Sequence, residues 1–145
     1  MKRLSIAVLF VALFATMAFA AVQDFGRFTV DVADGWTGSQ NGPSAIIVKN
    51  DNTASLSITI DKTQGYALKD LASAFVEEFK KSYPTVSAPE ATDDGDFTFT
   101  AVNANGVESS VLLTGDEEEY CMFVMTGVEA AGAEMSAMLG SIKEK

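Results

Sequence analysis

The chain contains no histidine. That removes the usual general base near neutral pH, the usual zinc ligand and the usual activator of a serine or cysteine nucleophile. Cysteine is nearly as scarce. Cys121 stands alone, so no disulfide can close within the chain, even in an oxidising compartment. It lies in Glu119-Tyr120-Cys121-Met122-Phe123-Val124-Met125, alternating with Phe123 and Met125 on one strand face. A buried, inert thiol is the first expectation, and a reactive thiol or an intermolecular bridge is the alternative. Positive charge is also short, with ten basic residues against twenty acids and a net charge of −10. A chain this acidic repels nucleic acid and anionic membrane surfaces. Its charge favours a basic partner or simply solubility. No G-x-S-x-G, phosphate loop, dinucleotide fingerprint, zinc spacing or glycosylation sequon occurs. The sequence therefore predicts no cofactor, no metal and no catalytic residues.

Charge is missing from one long stretch. After the basic start Met1-Lys2-Arg3, the 17 residues from Leu4 to Ala20 carry none, and Ala18-Phe19-Ala20 ends the run with small residues at −3 and −1. This pattern predicts a bacterial Sec-type signal peptide over residues 1–20, cut between Ala20 and Ala21. An uncleaved anchor is the alternative, but the run is at the short limit for a bilayer and no basic flank follows it. No cysteine stands at the cut, so acylation of the usual lipoprotein kind is excluded. The expected destination is the periplasm or the outside, with no membrane contact after cleavage. The 145-residue chain less its leader is 125 long, which suits a single domain over 21–145. Eight basic residues then face twenty acids, a net charge of −12.

Periodicity supplies the elements. Phe28, Val30 and Val32 alternate with Thr29 and Asp31, which predicts a half-buried strand. Asp34-Gly35 turns the chain and Trp36, the one tryptophan, opens the next segment. Residues 45–48 read as a short apolar strand. Leu56, Ile58 and Ile60 alternate with Ser55, Ser57 and Thr59, giving an apolar face and a hydroxyl face. The period then changes. Leu68, Leu71, Ala72, Phe75 and Phe79 form one helical stripe, which Pro84 must end. Residues 84–95 read as a polar connector. Phe97 and Phe99 begin another strand, Asn105-Gly106 suits a hairpin tip, residues 107–113 return, and residues 119–126 form the most apolar strand. Met135, Met138, Leu139 and Ile142 predict a second helix running to the C-terminus. Hairpin-like connections imply an antiparallel sheet, and two apolar helix stripes must cover it. The expected fold class is α+β, a mainly antiparallel sheet of about six or seven strands with two helices packed on it.

Phe28-Thr29-Val30-Asp31-Val32-Ala33-Asp34-Gly35-Trp36 resembles the opening of the Mog1/PsbP-like domains, in which an F-x-V-x-x-P strand is followed closely by Gly-Trp or Trp. Ala33 stands where proline is common. The later strand–helix–strand order is similar to theirs too, and small secreted bacterial proteins of that group share it. The family includes photosystem accessory proteins and a GTPase-binding nuclear transport factor. The resemblance implies an α/β sandwich and a non-enzymatic accessory or binding role, with no catalytic residues to carry over. On that fold Trp36 is expected to pack across the sheet beside a helix, with an acceptor for its indole N–H. An exposed ligand platform is the alternative.

The remaining motifs admit two readings each. Asp93, Asp94 and Asp96 surround Gly95, and Asp116, Glu117, Glu118 and Glu119 form a second run. Both sit at expected turns, where solvated acids are ordinary. Carboxylates on a loop could hold calcium, which takes about six to eight oxygens, but the EF-hand spacing is missing and no bidentate glutamate lies at the right distance. The methionines of the last strand and helix read as core, with soft-metal binding as the alternative. The function expected is a secreted or periplasmic, non-catalytic binding or accessory module with a protein partner, possible contacts being Trp36, Tyr66 and Tyr120. A small envelope enzyme using two carboxylates on a glycan-like polymer is a second reading. A self-associating envelope structural protein is a third.

Overall fold

Two residues of spacing decide which side chains go in. In β2 (Phe28–Val32), Phe28, Val30 and Val32 are buried while Thr29 and Asp31 are not. The computed structural model describes residues 21–145, and the expected leader lies outside the described residues. The same alternation builds β5 (Ser55–Lys62), where Leu56, Ile58 and Ile60 are buried. Five other long strands are β3 (Trp36–Asn41), β4 (Ser44–Lys49), β8 (Phe97–Val102), β9 (Glu108–Gly115) and β10 (Glu119–Thr126). Four short ones are β1 (Ala21–Asp24), β6 (Thr85–Val86), β7 (Glu90–Ala91) and β11 (Lys143–Glu144). The helices are α1 (Leu68–Lys80) and α2 (Val128–Gly140).

The main sheet has the order β3-β4-β5-β10-β9-β8-β6, with β7 also on β8, and every pair is antiparallel. A small sheet, β1-β2-β11, is antiparallel too. Register sorts the central strands into two faces. Cys121, Phe123 and Met125 of β10 sit opposite Ile60, Ile58 and Leu56 of β5, and all six join the core that includes Met135 and Met138 of α2 and Phe28, Val30 and Val32 of the small sheet. Met122 and Val124 point the other way, opposite Leu113 and Val111 of β9, and pack with α1. There Phe79 meets Phe99 edge to face at 5.2 Å and Phe75 meets Tyr120 at 5.4 Å. The expected α+β sandwich is the architecture observed, though among the described residues the main sheet has eight strands rather than six or seven, because the short β6 and β7 extend it, and a second sheet of three stands apart from it.

Three local expectations need correction. The second helix does not reach the C-terminus. It stops at Gly140, Ile142 lies beyond it, and Lys143–Glu144 pairs with β2. Ser141 marks the break, its Oγ bonding both the carbonyl of Met138 and the N–H of Asp31. The connector 84–95 is not free of structure, since β6 and β7 both pair with β8. The first helix ends before Pro84 takes effect: the N–H groups of Ser82 and Tyr83 both bond the Phe79 carbonyl. No helix among the described residues is long and apolar enough to cross a membrane.

Candidate functional site

Two loops meet at one end of the central strands. The chain leaves β5 through Thr63, Gln64 and Gly65, with φ of 54° at Gln64 and 83° at Gly65, and reaches Tyr66 before α1 begins. Opposite lies the turn from β9 to β10, residues 115–119. Thr63 ties them together. Its N–H donates to the Glu118 carbonyl at 2.9 Å and its hydroxyl to the Glu117 carbonyl at 2.6 Å, and the residue is 1% exposed. A buried threonine must satisfy its hydroxyl, and here it does so on the neighbouring main chain. Between the loops is an open cleft of about 320 Å³ lined by residues 62–65 and 117–119.

The acidic turn is shaped by its own first residue. Asp116 accepts the N–H groups of Glu118 and Glu119 at 2.8 and 2.9 Å. Those donors, Glu119 first, hold its carboxyl below the ordinary aspartate range. Glu119 pairs with Arg27, which also donates to the Ile60 carbonyl at 3.3 Å. Glu117 and Glu118 are left exposed beside Lys62. Tyr66, 62% exposed, follows directly on the cleft loop. The arrangement joins negative charge, an aromatic ring and a fixed main-chain frame. It contains no nucleophile with an activating base. Asp24, Asp51 and Asp116 are all held below their ordinary range, chiefly by hydrogen bonds from Lys145, the Thr53 hydroxyl and the Glu119 N–H respectively. That is the opposite direction from what a general acid needs.

Of the three aromatics read from the sequence, only Tyr66 presents its ring at the surface. Trp36 is 6% exposed in the core beneath α2, and its indole N–H donates to Glu134 of that helix. Tyr120 is 9% exposed on the opposite face, under α1. Burial, and then the charge of Asp61, push its phenol above the ordinary range. The structure thus leaves Tyr66 exposed just beyond the loop that Thr63 ties to the run 116–119, and leaves Trp36 and Tyr120 in separate cores. The cluster at Asp93, Asp94 and Asp96 occupies another turn, closed by bonds between Thr92 and Asp96. Among the described residues no three acidic or cysteine side chains converge as a metal site. Met135 and Met138 are each 1% exposed, so the helical methionines are core. Sequence reasoning passed over Thr63, Arg27 and Glu134. Only the polar turn Thr63-Gln64-Gly65 had any local signature.

Cys121 is half-buried. Burial raises its thiol pKa first, the carboxylates of Glu144 and Glu119 raise it further, and Arg27 opposes them. Burial both raises the thiol pKa and shields the sulfur, so iodoacetamide at neutral pH is expected to label Cys121 more slowly in the folded protein than in urea. Mass spectrometry of timed quenches measures this, and equal rates would contradict it.

No protein-family model matches the sequence. No curated protein matches it either. Solved structures do resemble it. The fold is similar to that of cyanobacterial PsbP (CyanoP) from Synechocystis sp. PCC 6803, with a TM-score of 0.50 and 11% identity over 88% of this chain and 95% of that one. A protein from Bacteroides thetaiotaomicron VPI-5482 aligns with a TM-score of 0.48 and 14% identity, over 86% of this chain and 47% of that one. The chain has a PsbP-like fold, in line with the Mog1/PsbP-like resemblance of its opening strand.

Proposed function

We propose that this protein is a secreted or periplasmic, non-catalytic accessory module that docks a basic protein partner on the rim formed by residues 62–66 and 116–119. The observation that carries this reading is the Thr63 tie, which joins the loop leading to an exposed tyrosine to the turn that carries a run of acids. A pre-set rim loses little entropy when it binds. Its charge speeds encounter with a basic surface, and the tyrosine provides the contact that holds. The secreted destination rests on the leader pattern of residues 1–20. The PsbP-like fold fits an accessory role, although a fold alone does not assign a function.

The test begins with cross-linking in the native envelope and mass spectrometry of the linked peptides. Cross-links should gather at Lys62 and Lys69, the lysines flanking the rim. With the partner in hand, Tyr66→Ala is expected to weaken binding about thirty-fold, the roughly 2 kcal/mol of a hot-spot aromatic. Glu117→Gln with Glu118→Gln should instead slow association and flatten its salt dependence. If all three substitutions left affinity and rates unchanged, the rim would not be the docking surface.

A further inference from the structure

We infer that the free edge of β3 pairs with the same strand of a second copy, joining two main sheets into one across a two-fold axis. An unpaired strand edge exposes main-chain donors and acceptors, and proteins normally guard it with charge, proline or very short strands. Among the described residues, three of the four sheet edges follow that rule. The far edge of the main sheet is covered by the two-residue strands β6 and β7, with Pro84 and Pro89 beside them. In the small sheet β11 is Lys143-Glu144, and β1 is four residues long and ends in Asp24. The β3 edge breaks it. Its six residues, Trp36 to Asn41, include no charge and no proline.

The register shows which groups face outward. Lys49 of β4 turns its N–H toward the β5 side, to the Ala54 carbonyl, and Ile60 of β5 reaches the Pro43 carbonyl. Odd-numbered positions of β4 therefore serve β5 and even-numbered ones serve β3. Their β3 partners are Thr37, Ser39 and Asn41. Gly38 and Gln40 point their N–H and C=O away from β4, and among the described residues neither N–H has an acceptor. An antiparallel copy matches this pattern without alteration. Gly38 faces Gln40 of the copy, Gln40 faces its Gly38, and four main-chain hydrogen bonds close around Ser39.

Charge selects a copy of this chain as the occupant. A protein with twenty acids meets itself with least repulsion where it carries none. On the solvent side Thr37, Ser39 and Asn41 are exposed and continue into Ile46 and Val48 of β4, again uncharged. The other side is closed by Gln23 and Phe25, which pack against Gly38. The incoming strand must therefore lie in the plane of the sheet.

Sedimentation equilibrium on the purified protein, expressed with its own leader, is the experiment. Twice the chain mass is expected, in an association that strengthens from micromolar to millimolar. Ser39→Lys and Ser39→Glu each place like charges opposite one another across the axis, so each variant alone should sediment as a monomer. Mixed in equal amounts, they should recover the dimer. Gln40→Pro removes an outward N–H without touching the β3–β4 ladder and should weaken the dimer in the same direction. Unchanged thermal unfolding of the exposed Ser39 variants would show that the monomer is intact. A wild-type monomer throughout the range, a dimer that persists in Ser39→Lys, a mixture that stays monomeric, or an edge that takes up an extended foreign peptide instead would each overturn the pairing.

Discussion

Trp36→Ala destabilises the protein by about 3–5 kcal/mol, the usual cost of emptying a large aromatic site in a packed core. Trp36 opens β3 with a ring only 6% exposed, in the cluster that includes Ile47, Met135 and Met138. Its N–H donates to Glu134, which in turn accepts from Lys49 at 3.4 Å. Lys49 is the cross-strand neighbour of Trp36, so the three side chains tie β3, β4 and α2 together. Packing should outweigh polarity here. The Glu134 carboxylate is half-exposed and keeps Lys49 when the indole is gone, so Trp36→Phe should cost only about 1 kcal/mol for the lost bond, plus a smaller packing change. Urea unfolding of both variants measures the split. For a domain of this size 1 kcal/mol shifts Tm by about 3–6 °C, so Trp36→Ala should melt about 9–30 °C lower. If Trp36→Phe cost as much as Trp36→Ala, the hydrogen bond would dominate and the packing argument would fail.

That tryptophan also shows how far local pattern reaches. The turn Asp34-Gly35 before it and the strand ahead of it were legible, and burial beside a helix followed from them. The identity of the acceptor was not. Glu134 lies 98 residues away, and nothing near either residue announces the other. The rim repeats the lesson. Tyr66 and the run 116–119 were each visible, but the meeting of their two loops depends on Thr63 bonding main-chain carbonyls, and any residue type supplies a carbonyl. The short strands fail for a plainer reason. Two residues such as Thr85–Val86 or Lys143–Glu144 cannot display a period of two. The helical spacing of Ile142 was misleading, because helix and tail alike can drop an apolar side chain into the core cluster, and Ile142 does so from the tail.

Gly127→Ala should be the other severe substitution, costing about 2–5 kcal/mol when left-handed strain and overpacking are combined. Gly127 joins β10 to α2 with φ of 76°, and its carbonyl receives the first N–H groups of the helix, from Ala130 and Ala131. A Cβ there would stand 2.3 Å from the Thr53 carbonyl oxygen and 3.0 Å from Cα of Ala54. Those atoms cannot yield easily. Thr53 is pinned through its N–H and hydroxyl to Asp51 at 2.9 and 2.6 Å, and the Ala54 carbonyl accepts from Lys49. Two other glycines separate the causes. Gly35 has φ of 81° but open space, so Gly35→Ala should cost only the conformational share, about 1–2 kcal/mol. Gly140 has open space and no positive φ, so Gly140→Ala in the last turn of α2 should stabilise the protein by up to about 1 kcal/mol. Gly127→Asn adds a decisive comparison, since asparagine tolerates the left-handed region but still carries a Cβ. It should remain close to Gly127→Ala in urea unfolding. Recovery of wild-type stability by asparagine would mean that φ alone governs this position and that the wall at Thr53 gives way.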